Sequence, residues 1–191
     1  MRRIFLCAVL AVSALVLTAG SGVAADANGN HDTYTWYAGV PSTVVPGFPT
    51  TVMAAGPSGT ITMAGTGRLK AGPDNFATGG GTYSLVDNQG RPVGSAGTWA
   101  VEPGQRGLIE FETWGCGNLG PMPVPAGFCG GQAKLRIVLA GGPLSGADGV
   151  LTIMCLVGSP PGGKEEGITL VLGNGTNFTQ TEEGATLFTK P

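Results

Sequence analysis

Histidine is almost missing from this chain: the 191 residues include one, His31. Zinc sites built on a His pair are therefore excluded, and so is a Ser-His-Asp or Cys-His catalytic system that does not use His31. That residue lies in DANGNHD (26–32), a polar stretch that reads as a frayed terminus. Cys-x-x-Cys and Gly-x-Ser-x-Gly are also absent; Ser58 in GPSGT and Ser145 in GPLSG lack the nucleophile-elbow spacing. Charge is scarce, at 12% of residues, and the basic residues do not cluster, which removes nucleic acid and anionic membrane surfaces as fitting partners. Low charge beside 42% hydrophobic residues argues against disorder. The 35 glycines follow no Gly-X-Y period and no 20–50-residue repeat is visible, so collagen, solenoids and propellers are excluded.

The one long apolar run is at the start. In MRRIFLCAVLAVSALVLTAGSGVAA, Arg2 and Arg3 precede the run Ile4 to Leu17, and Val23-Ala24-Ala25 supplies small residues for cleavage. Residues 1–25 thus read as a secretory signal peptide, too short in its apolar part to span a bilayer. The expected location is outside the cytoplasm: extracellular, cell surface or periplasm. Cleavage would leave 166 residues, with eight basic side chains facing twelve acidic ones. It would also remove Cys7, leaving Cys116, Cys129 and Cys155 in an oxidising compartment. Cys116 and Cys129 flank a Gly- and Pro-rich loop, and a disulfide there would restrict the unfolded chain by about 3 kcal/mol. Cys155, in VLTIMCLV, shares a face with Leu151, Ile153 and Val157 by period-2 alternation, as a buried free thiol would. Spacing leaves the pairings of Cys155 with Cys116 or Cys129 open.

Glycine at this density weakens helices and suits short strands joined by tight turns. TYTWY (33–37) is a strand candidate, whereas residues 38–58 carry four prolines and read as an extended segment outside regular pairing. Further runs follow at 60–65, 82–87, 97–102, 107–114, 133–140, 149–157, 167–172 and 185–189. Asp87-Asn88-Gln89-Gly90, Asp148-Gly149 and Asn174-Gly175 supply turn chemistry between them, and residues 82–102 read as a hairpin. The expectation is all-β: a single antiparallel β-barrel of about eight strands over 59–191, behind an extended segment at 26–58, with a β-sandwich or jelly roll as the alternative. Gly79-Gly80-Gly81 predicts a bulge or sharp bend at a barrel corner.

The stretch ATGGGTYSLVDNQGRPVGSAGTW, within residues 59–101, resembles the glycine-punctuated hairpins of small secreted barrels of the allene-oxide-cyclase and dirigent type. TIMCLVGSPPGGKEEGITL is similar to segments of small secreted bacterial β-proteins. The resemblance implies an eight-stranded barrel with an internal apolar cavity, which Tyr83 and Trp99 would suit as lining. No catalytic signature transfers with it.

Glu110 and Glu112 are the candidate catalytic residues. In LIEFETW, simple alternation places them on one strand face with Leu108 and Trp114, about 6–7 Å apart and within the range of glycoside chemistry. The opposite face, Ile109 and Phe111, is more apolar, which turns the glutamates to water unless a barrel cavity holds one beside Trp114. Tyr34, Trp36, Trp99 and Trp114 are the candidate ligand-binding aromatics, able to stack on sugar rings or apolar molecules, although such side chains more often fill cores. GSPPGGKE (158–165) matches Gly-x4-Gly-Lys, yet Pro160 and Pro161 delete amide donors and Glu165 stands where a hydroxyl is needed. Asp26, Asn28 and Asn30 are spaced like the opening of a calcium loop, but His31 and Tyr37 occupy the positions of its glycine and closing glutamate. No metal or cofactor is expected. Asn174 and Asn177 head two sequons that matter only in a glycosylating host.

The remaining function classes are a binding or surface-interaction module for an apolar small molecule, glycan or protein partner, an isomerase, cyclase or glycosidase using a cavity carboxylate, and a structural envelope protein.

Overall fold

The structure, a computed structural model, describes residues 32–191. The leader with Cys7, and the stretch from Asp26 to His31, lie outside the described residues. Among the described residues the architecture is all-β, without an α-helix. Its strands are β1 (Thr33–Ala38), β2 (Val52–Gly56), β3 (Gly59–Lys70), β4 (Phe76–Val86), β5 (Gly97–Val101), β6 (Leu108–Cys116) and β7 (Asn118–Leu119). They continue as β8 (Met122–Pro123), β9 (Phe128–Gly141), β10 (Asp148–Cys155), β11 (Gly167–Leu172), β12 (Asn177–Phe178), β13 (Gln180–Gly184) and β14 (Thr186–Thr189), with one short 3-10 turn at Gly104–Arg106.

Twelve strands form one antiparallel sheet, and β7 and β8 make a separate ribbon. The pairings run from β9 to β14, β1, β3, β4 and β5, and from β5 back to β9. β3 and β9 are branch strands: β2 joins the first, while β6 and β10 join the second. β11 follows β10 and packs against β2 and β13 without hydrogen-bonding to them. Both β1 and β2 come from the 26–58 segment, so its described part is built into the sheet. The proline-rich reading of that segment missed β2: Val52–Gly56 contains no proline, because Pro49 and Pro57 lie just outside it.

Alternation explains the core. Tyr34, Trp36 and Ala38 of β1 are buried with Ile61 and Met63 of β3, Leu135, Ile137 and Leu139 of β9, and Leu151, Ile153 and Cys155 of β10. At the centre the indoles of Trp36 and Trp99 stack with ring centroids 5.6 Å apart. The glycines opposite them make this possible. A Cβ on Gly67 would stand 2.5 Å from the Trp36 ring, one on Gly79 would stand 2.8 Å from it, and one on Gly65 would strike the Trp99 ring. The predicted bulge at Gly79-Gly80-Gly81 is therefore corrected: β3 and β4 pair without a register shift through all three residues. Gly65, Gly67 and Gly79 instead form a floor for the two tryptophans.

Candidate functional site

The aromatic candidates and the pair Glu110 and Glu112 all fall within the described residues. Tyr34, Trp36 and Trp99 are core side chains, 3%, 0% and 3% exposed, and present no face to a ligand in solution. Burial and the charge of Asp32 push the Tyr34 phenol upward. Trp114 is also buried, with the Lys164 ammonium 6.0 Å from its ring centre. Lys164 donates to Gln132 Oε1 at 2.8 Å, and the strand β11 follows its loop, where a phosphate cradle would need a helix.

Glu110 and Glu112 are exposed, and Glu110 accepts a 2.5 Å ion pair from Lys134. Their shared face with Leu108 and Trp114 is corrected. Register shifts between Leu108 and Glu110, and again between Thr113 and Gly115, reset the alternation twice. Leu108 and Trp114 are thereby buried and Phe111 half-buried, while both glutamates face water.

The disulfide joins Cys116 to Cys129, which are paired across β6 and β9, and Cys155 is a buried free thiol. The bridge closes a loop that forms one wall of the main cleft. Inside it, Gly117 N–H donates to Phe128 O (2.9 Å), Val124 N–H to Gly117 O (3.0 Å) and Phe128 N–H to Pro125 O (2.8 Å). Gly158 N–H donates to Asn118 O at 2.5 Å and Lys190 N–H to Gly127 O at 2.9 Å, which tie the loop to its surroundings.

The facing wall is the proline-rich loop after β1. Val44 N–H and Val45 N–H both donate to Pro41 O, and Val40 N–H donates to Pro49 O, so the loop folds on itself. Gly39 starts it at φ +78°, with Thr50 backbone packed where a side chain would stand; only glycine fits. Gly39 N–H also donates to Ala185 O at 2.9 Å, fastening the loop to the approach to β14.

Between these walls lies a cleft of about 650 Å³. Val45, Phe48, Val124 and Phe128 line its sides, and Val157 and Leu187 belong to its deeper part. Phe48 is 49% exposed, which leaves an aromatic face at the rim.

One carboxyl borders this apolar space. Glu166 Oε2 accepts from Leu156 N–H (2.7 Å), and its Oε1 accepts from Thr186 N–H (2.8 Å) and lies 2.6 Å from Thr186 Oγ1. Thr186 Oγ1 also donates to Met154 O. Burial raises the Glu166 pKa, against the hydrogen bonds from Thr186 and Leu156 that lower it. The Cys155 thiol is pushed up to about 12, first by burial and then by the charge of Glu166, so it is not a nucleophile. Glu166 was not singled out from the sequence, yet a signal for it exists. Extending the alternation of β11 backward from Leu172, Leu170 and Ile168 puts Glu166 on the buried face.

No protein-family model matches the chain, and neither a curated protein nor a solved structure does.

Proposed function

We propose that the protein is an exported binding protein whose cleft, between the proline-rich loop and the disulfide-closed loop, holds an apolar small molecule. The observation that carries this reading is the cleft itself: about 650 Å³, with a lining dominated by Val, Leu, Phe and Pro. That volume and chemistry fall in the range of small-molecule sites. The disulfide and the leader-like first 25 residues support export, since structural disulfides persist in oxidising compartments. The glycan reading loses its support, because Tyr34, Trp36 and Trp99 are committed to the core. The circuit of six paired strands that returns to β9 favours a barrel over a sandwich, with the two stacked indoles inside it. The binding site then lies at one end of that barrel and not in its interior.

Fluorescence titration with an environment-sensitive apolar dye tests the proposal. Saturable enhancement by the wild-type chain is expected, and Val124→Trp, which fills the cleft from its side, should weaken it at least tenfold. Absence of saturable binding, or binding indifferent to Val124→Trp, would overturn the assignment.

A further inference from the structure

The outer face of the sheet carries a pattern that the cleft does not use. Outward positions of an antiparallel sheet are ordinarily polar. Among the described residues four large apolar side chains are exposed, and only Phe48 belongs to the cleft. Val138 of β9 (42% exposed) and Val171 of β11 (44%) share one outer face, and Ile109 (41%) stands on the neighbouring β6. Val150 of β10 lies between Arg136 and Val171 in the register and joins the patch together. Strand propensity alone does not call for valine here. Thr152 and Thr169, β-branched but polar, fill the outward positions of the next row. A gathering of exposed apolar side chains of this kind marks an interaction surface.

Register gives the patch its charge pattern. Asp148 pairs with Val138, and Val150 with Arg136. These four outward residues form a two-by-two tile, about 5 Å across the strands and about 7 Å along them. Val138 and Val150 make one diagonal of the tile, and Arg136 and Asp148 make the other. Among the described residues neither charge enters an ion pair, whereas the adjacent Lys134 is matched by Glu110. Arg136, Asp148 and Glu102 instead line a hollow of about 180 Å³, bordered by Val150 and Val171.

We propose that a second copy of this chain covers this face. A two-fold axis lying in the interface along the valine diagonal sets Val138 and Val150 each against its own counterpart. The same axis carries Arg136 onto the partner's Asp148, and Asp148 onto the partner's Arg136. The tile is thus complementary to itself, as a two-fold interface requires of a surface. Glu102, in the same hollow as Asp148, offers the incoming guanidinium a second carboxylate. An unrelated apolar partner would cover the valines and leave both charges desolvated without a match, which is costly. None of the tile residues lines the apolar cleft, so pairing here leaves the cleft open to its ligand.

Sedimentation equilibrium of the wild-type protein at about 100 μM is the test, since an interface of micromolar Kd is largely occupied there. Twice the chain mass is expected at that concentration, falling toward the single mass on dilution. Val138→Arg should leave a monomer. Arg136→Asp and Asp148→Arg should each weaken association at least tenfold, and the double variant, which exchanges the two charges, should recover most of the loss. Denaturation midpoints establish that each variant keeps its fold. A charge reversal that unfolds is replaced by Arg136→Gln or Asp148→Asn, which should weaken association in the same direction. Wild-type protein that stays monomeric at about 100 μM overturns the proposal. So does a dimer unmoved by Val138→Arg, or a double variant that associates no better than either single one.

Discussion

Two indoles govern which substitutions the sheet's centre tolerates. Trp36 and Trp99 stack over glycines of β3 and β4, so added methyl groups there meet aromatic carbon and backbone with nowhere to relax. Gly67→Ala should cost about 1–3 kcal/mol, read as a fall in the denaturation midpoint at unchanged slope. Gly162, with nothing within 4 Å of an added Cβ, is the control, and Gly162→Ala should stay within about 0.5 kcal/mol. Glu166 gives stability a pH dependence of definite sign. Its folded pKa is raised by burial, so its contribution is fully present below the ordinary glutamate range and is lost as pH rises through the folded value. Wild type should therefore lose stability relative to Glu166→Gln across that window, and urea melts at a series of pH values would check it. At this scale Cys155 was legible because burial alternates without interruption from Leu151 in β10 to Val157 just beyond its end. The pair Glu110 and Glu112 was not, because each bulge in β6 reverses the face and bulges leave no fixed mark in composition.

Among the elements, the loop between Cys116 and Cys129 would connect stability to the proposed binding. Its β7–β8 ribbon pairs over only two positions, and the disulfide adds a covalent restraint to the hydrogen bonds that hold that wall of the cleft. Replacing both cysteines by serine should cost about 3 kcal/mol in denaturant unfolding. It should also weaken uptake of the apolar dye, because Leu119, Val124 and Phe128 line the cleft from this loop. A variant that loses stability yet keeps full dye affinity would separate the loop from the site. Most strands after residue 59 follow from their apolar runs, and the Asp87 turn follows from its chemistry: Asp87 Oδ1 accepts from the amides of Gln89 and Arg91, each at 2.9 Å. β2 and β13 were less legible, since their runs are short, small or polar, and pairing with each other and with β3 defines them.

For the whole molecule, the consequential pairing joins the two ends of the described chain. β1 and β14 lie side by side with Trp36 opposite Phe188, and β14 also completes the circuit to β9 through the pair Phe188 and Cys129. A chain ending at Ala185 would leave β1 and β9 with unpaired backbone groups and remove the buried Leu187 and Phe188. Loss of cooperative thermal unfolding and of the near-ultraviolet dichroism of the stacked indoles is the expected result. Folding should also be slow, because contacts between such distant segments must form before the core is enclosed. No described helix is long and apolar enough to cross a membrane.

What the sequence determined by itself is local in origin. Period-2 alternation, glycine-rich turns and the absence of helical periodicity are enough to make the chain all-β, and loop composition is enough to suggest the disulfide. The tertiary structure alone decided which aromatics are core, where the glutamates point and where the cleft lies. Those outcomes depend on bulges, on branching at β3 and β9, and on two loops distant in the chain meeting over β14. Neighbouring residues do not encode such meetings, because they arise from strand pairings between segments far apart in the chain.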